Sequence, residues 1–152
     1  MIVTTANAKG GVAKTTSAIY LAAAYARRFE EGATVLDADP QSSASLWRDM
    51  AEVNGGWPAG TDVMPANLST LQRLARAGHD GKPGAVLIVR AEPRTRAFQA
   101  TVAALDEAGT PRFDAVVCKR QDIKAGMGHS PDKLHEYPQV LGEIVEAMGA
   151  RA

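Results

Sequence analysis

Lys9-Gly10-Gly11-Val12-Ala13-Lys14-Thr15-Thr16 lies between an apolar run, Ile2 to Ala6, and a long Ala-rich segment. That order predicts strand, tight loop, helix. A loop of this kind turns backbone N–H groups inward onto phosphate oxygens, and the helix that follows adds its positive N-terminal end at the same spot. Gly10 and Gly11 let the backbone come close. Lys14 is placed to reach the outer phosphates, and the Thr15 hydroxyl to complete the shell of a magnesium ion. The strict phosphate-loop pattern G-x-x-x-x-G-K-[ST] is nonetheless missed, because Ala8 and Ala13 stand where it requires glycine.

From Thr16 onward, Ala18, Ile19, Ala22, Ala23 and Ala26 recur at helical spacing until the polar end before Gly32. Ala33 to Leu36 is short, apolar and followed by Asp37 and Asp39, as expected of a parallel strand whose C-terminal end faces a site. Gln41 to Met50 reads as a helix entered through serine caps, Thr61 to Met64 as a strand, and Leu68, Leu71, Leu74 and Ala75 as the apolar face of a further helix. Trp47 and Trp57 read as packing residues. Ala85 to Val89 is the strongest strand signal and is predicted to be central. Arg94 to Ala108 reads as helix, Ala115 to Cys118 as strand, Lys119 to Glu136 as mainly loop with room for one helical turn, and Gln139 to Met148 as the last helix. Alternating strands and helices predict an α/β fold: a doubly wound, mostly parallel sheet with helices on both faces, formed by residues 1–152 as a single domain.

The loop resembles that of the deviant Walker A ATPases of the ParA/MinD family, Lys-Gly-Gly-x-x-Lys-Thr-Ser/Thr with an additional signature lysine, here Lys9. Val35-Leu36-Asp37-Ala38-Asp39-Pro40-Gln41 resembles the family's Asp-x-Asp-Pro-Gln segment. The resemblance implies ATP and Mg2+ as cofactors, with the backbone from Lys9 through Gly10, Gly11, Val12, Ala13 and Lys14 to Thr15 and Thr16 around the phosphates. It implies that Lys14 acts in cis and that Lys9 reaches the partner's phosphates across an ATP-dependent homodimer. Asp37 is then expected to hold magnesium through water beside Thr15, and Asp39 to orient or activate the attacking water. Where the family often has Asn-Arg at the central strand's end, the Asn contacting adenine, Val89-Arg90 keeps only the arginine, which is carried over as a nucleotide contact.

The resemblance spans residues 1–76 and 85–152 but breaks between them. No strand ending in a Walker B aspartate is found: Val86-Leu87-Ile88-Val89 ends in Arg90, and the strand before Lys119 ends in Cys118. The expectation is a deletion relative to the family after Asp80, near residues 80–85. Loss of that carboxylate weakens metal positioning and slows phosphoryl transfer, a reaction carried almost wholly by positioning and charge stabilisation.

Composition narrows the function further. Lysine plus arginine and aspartate plus glutamate both number 17, so any attraction to nucleic acid must be local. Between Lys82 and Lys124 there are eight bases against five acids, a modest excess. Partition members of the family bind DNA non-specifically through their C-terminal half, which nominates Arg94, Arg96, Lys119, Arg120 and Lys124. Cys118, the one cysteine, excludes a multi-cysteine metal or cluster site and reads as a small buried thiol. His79, His129 and His135 have no metal-ligand spacing. No apolar run approaches a membrane span, no leader pattern opens the chain, and the last helix carries acids instead of the basic face of a membrane-binding MinD-like helix. The expectation is a cytoplasmic, nucleoid-associated partition ATPase that segregates plasmid or chromosome DNA with a ParB-like centromere-binding partner. The alternatives are a non-hydrolysing, ATP-gated DNA-binding module and a MinD-like positioning protein.

Overall fold

The computed structural model describes residues 1–7, 9–66 and 84–149. The helix expected over Leu68 to Ala75 and the deletion placed after Asp80 fall outside those residues. Helix α1 (Lys14–Phe29) is followed by strand β1 (Ala33–Asp37), α2 (Ser43–Val53) and β2 (Thr61–Pro65). Beyond residue 84 come β3 (Val89–Ala91), α3 (Arg96–Glu107), β4 (Val117–Cys118), α4 (Gln121–Ala125) and α5 (Tyr137–Gly149). Strands alternate with helices and pair in parallel, the α/β class implied by the sequence.

α1 is the middle of the core. Ala23, Ala24 and Ala26 are buried along it, and their small side chains let the helix approach β1 on one side and α5 on the other. Ile19 and Tyr20 from α1 meet Val35, Val63, Trp47 and Leu141 in one apolar cluster. Tyr20 stacks against Tyr137 with ring centroids 5.0 Å apart, and burial pushes its phenol up to about 12, so it stays neutral. At the base of the same cluster the hydroxyls of Ser17 and Tyr137 share a buried hydrogen bond of 3.1 Å, which joins the first turns of α1 and α5. Glu30, left-handed at φ 53°, ends α1 by returning its N–H to the Ala26 carbonyl.

The sheet departs from expectation. β1 pairs with β2 from Ala33↔Thr61 to Asp37↔Pro65, and β3 pairs with β4, but among the described residues the two pairs are not joined. Ile2 to Ala6, expected as the first strand, makes no backbone ladder there, and Ile2 and Val3 are 52% and 42% exposed. Strand propensity is chiefly the propensity to fit beside a neighbour, and without a paired edge the apolar pattern alone fixes nothing. Ala85 to Val89, expected as a central strand, is reduced to an isolated bridge between Val86 and Arg112 followed by three-residue β3. One face of β1–β2 buries Val35, Asp37 and Val63 beneath α1 and α2, while Leu36 and Met64 on the other face are exposed.

Lys119 to Glu136, expected as mainly loop with room for one helical turn, has that form, with α4 as the turn, and is held by side chains from the core helices. Arg27 donates to the carbonyls of Pro131 and Asp132 at 2.9 Å, and the Trp47 indole N–H to that of His129 at 2.8 Å. Trp47 is therefore both a packing residue and an anchor.

Leu141 and Met64 test this division. Leu141→Ala should cost about 2–5 kcal/mol in urea denaturation, the range for a buried leucine that leaves a cavity. Met64→Ala should stay within about 0.5 kcal/mol, as for a surface change. A cost above about 1 kcal/mol for Met64→Ala would show that the outer face of β1–β2 is covered.

Candidate functional site

The loop before α1 meets the requirements of an anion site. Ala13 is the N-cap residue of α1, yet among the described residues no side chain caps the helix, and no acid occupies the first turn. The first N–H groups of an α-helix have no partner within the helix, so here they remain available to an oxyanion, aided by the helix dipole. A Cβ added at Gly10 or Gly11 would meet nothing within 4 Å, so the loop's outer side is open to a ligand. The Lys14 ammonium lies back over the loop and donates to the Lys9 carbonyl at 3.0 Å. From below, the Thr5 hydroxyl donates to the Lys14 carbonyl at 3.3 Å, and Asn7 Oδ1 accepts the Lys9 N–H at 2.8 Å.

The missing glycine of the strict pattern now has a physical account. Ala13 sits at φ 63°, ψ 26°, in the left-handed region where glycine carries no Cβ penalty. Alanine holds a conformation there that glycine would adopt at less cost.

The two acids after β1 occupy one turn. Asp37 is buried: its Oδ2 accepts from the Ala44 and Ser45 N–H groups and the Ser45 hydroxyl at 2.9–3.0 Å, and its Oδ1 from the Asp39 N–H at 3.2 Å. The Asp39 carboxylate is exposed and held by the Gln41 N–H at 2.9 Å, with the Ser43 hydroxyl at 3.4 Å. Serine caps were expected to open α2. Ser42 does stand at the N-cap, but it is left-handed at φ 51° and makes no side-chain cap, the two exposed amides being taken by Asp37 instead.

Arg90 lies on a bulge: Val89 pairs with Val117 and Ala91 with Cys118, so Arg90 is an extra residue in β3, exposed and at φ 56°. Bulges of this kind re-aim side chains beside active sites. At the C-terminal ends of β3 and β4 is an open pocket lined by Glu92, Arg94, Thr95, Cys118 and Lys119. Sequence reasoning assigned Arg94 and Lys119 to DNA and Cys118 to the interior. The structure places all three at this pocket, with Cys118 half-buried. The signal that could have found it is the rule that open α/β sheets bind ligands beyond the carboxyl ends of their strands.

Two of the five bases nominated for DNA are engaged. Lys119 pairs with Glu92 at 2.5 Å and holds that carboxyl below its usual range, and Arg120 pairs with Glu136. Arg94, Arg96 and Lys124 are exposed and form no ion pair among the described residues. His135 pairs with Asp122 at 2.9 Å, a structural contact between α4 and the turn before α5, while His79 lies outside the described residues. Among the described residues no group of three or more His, Cys, Asp or Glu side chains could hold a metal ion, and no helix is long and apolar enough to cross a membrane.

A parallel α/β fold with an uncapped helix behind a Gly-Gly-lysine loop defines a phosphate-loop nucleotide-binding domain. Residues 3–131 match the CobQ/CobB/MinD/ParA nucleotide binding domain. The chain is also 32% identical over 156 residues to the maintenance of carboxysome distribution protein A of Gloeobacter kilaueensis, across 96% of this chain and 68% of that protein. The chain belongs to the CobQ/CobB/MinD/ParA family of nucleotide-binding proteins.

Ala13→Gly should stabilise the protein by about 1 kcal/mol, since it relieves a left-handed alanine. A chemical-denaturation midpoint that is unmoved or lowered would show that the left-handed geometry carries no cost here.

Proposed function

We propose that the protein is a ParA-type positioning ATPase. In this reading the single domain binds ATP with Mg2+, dimerises around two nucleotides, attaches to nucleoid DNA without sequence preference and responds to a ParB-like partner. The observation that supports it best is the N-terminus of α1, left without a side-chain cap or an acid behind an open Gly10-Gly11 loop.

The backbone donors from Gly10 to Thr16 hold the phosphates, and Lys14 exchanges the Lys9 carbonyl for the outer phosphate oxygens. Thr15 offers its hydroxyl to magnesium, which when bound neutralises charge on the phosphates. Lys9, exposed on the loop, extends to the second subunit. Asp39, exposed at the turn after β1, orients the attacking water, and Arg90 with the pocket beside it flanks the base. Arg94, Arg96 and Lys124 supply the DNA contacts, a smaller surface than the five bases nominated from sequence.

Two observations favour neighbouring readings. The sequence contains no recognisable Walker B aspartate, which favours an ATP-gated switch that binds without turning over. The Gloeobacter relative is named for carboxysome distribution, which favours a cargo other than a plasmid or chromosome for the same cycle.

Calorimetry and light scattering test the proposal together. Mg-ATP should give binding heat and a dimer, with ADP leaving a monomer. Lys14→Ala should abolish the heat, Lys9→Gln should bind yet stay monomeric, and Asp39→Ala should bind and dimerise without releasing phosphate. DNA affinity in ATP should fall steeply with salt, with a log–log slope of about −0.9 for each phosphate contacted. A folded chain that gives no heat with Mg-ATP overturns the reading. Binding without phosphate release, even with DNA and partner present, selects the switch.

A further inference from the structure

Asp37 lies at the end of β1 and is 8% exposed, and its two oxygens face opposite ends of one loop. Oδ2 accepts from the Ala44 N–H at 3.0 Å, the Ser45 N–H at 2.9 Å and the Ser45 hydroxyl at 3.0 Å. These amides are the second and third of α2, the donors that an N-cap side chain ordinarily satisfies. Oδ1 accepts from the Asp39 N–H at 3.2 Å. The loop between is closed by the Asp39 carbonyl, which takes the Ser42 N–H at 2.8 Å, and by the Asp39 carboxylate, which takes the Gln41 N–H.

We propose that Asp37 is the positioning residue of Asp39: one buried carboxylate clamps the loop from residue 38 to 45 at both ends and fixes the direction in which Asp39 points. A carboxylate offers about four acceptor sites over its two oxygens. Here three donors converge on Oδ2 and a fourth is on Oδ1. That leaves it poorly suited to hold a metal's water, the role expected from sequence. The assignment to catalysis rests on the reading of Asp39 given above, while the clamp itself stands on geometry without nucleotide.

Asp37→Asn and Asp37→Ala in the full chain separate the possibilities. The asparagine carbonyl can replace Oδ2 and keep the α2 donors, while its amide group faces the Asp39 N–H and loses that contact. Alanine loses both ends. Amide hydrogen exchange without nucleotide should speed about tenfold or more at Ala44 and Ser45 in Asp37→Ala and less than about threefold in Asp37→Asn, with Asp39 faster in both. In Mg-ATP, kcat of Asp37→Asn should fall about tenfold, with KM for ATP and the Mg2+ half-saturation each within about twofold of the parent.

Unchanged exchange at Ala44 and Ser45 in Asp37→Ala overturns the clamp. An Mg2+ half-saturation raised about tenfold in Asp37→Asn, with Asp39 exchange unmoved, overturns it in favour of a metal ligand. If Asp37→Ala does not fold, Asp37→Asn decides alone: Asp39 must lose protection while Ala44 and Ser45 keep theirs. A parent that binds no ATP defeats the proposed function, and the exchange pattern still decides the clamp.

Discussion

The packing of α1 between β1–β2 and α5 is the constraint on which the rest depends. Burying a single Leu or Ile side chain is worth about 1.5–3 kcal/mol, and α1 contributes Ile19, Tyr20 and Leu21 to the same core. Its alanines matter for a different reason: they bring the helix axis close enough for residues on either side to touch. Because the helix is fixed along its length, its first turn is fixed too, and the Gly10-Gly11 loop inherits that placement. The Ser17–Tyr137 hydrogen bond extends the connection three residues beyond Lys14 into α5, so α5 shares in holding the start of α1.

The strands contribute less than a doubly wound sheet would lead one to expect. Parallel sheets are ordinarily covered on both faces and continuous across the domain. Here two short parallel pairs stand separately among the described residues, with the apolar Ile2–Val3 segment exposed. Among the described residues the ladders are β1–β2 and β3–β4, together with the isolated bridge between Val86 and Arg112. Among the described residues α1 packs against both β1 and α5, so helix-on-strand and helix-on-helix contacts meet in one core there.

Elements with strong local periodicity were legible in the sequence: α1, α2, α3 and α5 lie within a few residues of their predicted ranges, as do β1 and β2. Those that failed depend on partners that a linear pattern cannot supply. Ile2 to Ala6 has strand composition and no neighbouring edge, and Ala85 to Val89 has the strongest apolar run and only a bridge. The Lys9 to Thr16 loop could be picked out because its residues are adjacent in sequence, and Ala13, read as standing in a glycine position, proves to be left-handed. The pocket at the ends of β3 and β4 was not, because Arg94 and Cys118 are 24 residues apart in sequence and meet only through strand pairing. The α2 cap was missed for the same reason. Three serines near the helix start suggested local capping, but the acceptor came from the preceding strand.

α1 and α2 treat their N-termini in opposite ways. α2 has its donors closed by the chain's own carboxylate, supplied by Asp37 from β1. Among the described residues α1 has no acceptor from a side chain, and its first turn holds no acid. A helix N-terminus attracts anions in general, so those of α1 and α2 must be told apart. Asp37 does so by filling the α2 site with the chain's own carboxylate, which takes the donors a second acceptor would need. In the proposed reading, the open site at α1, with Lys14 beside it, is then where a phosphate would gain both backbone donors and a cation. The discrimination comes from where one buried acid is placed, with no difference needed between the helices themselves.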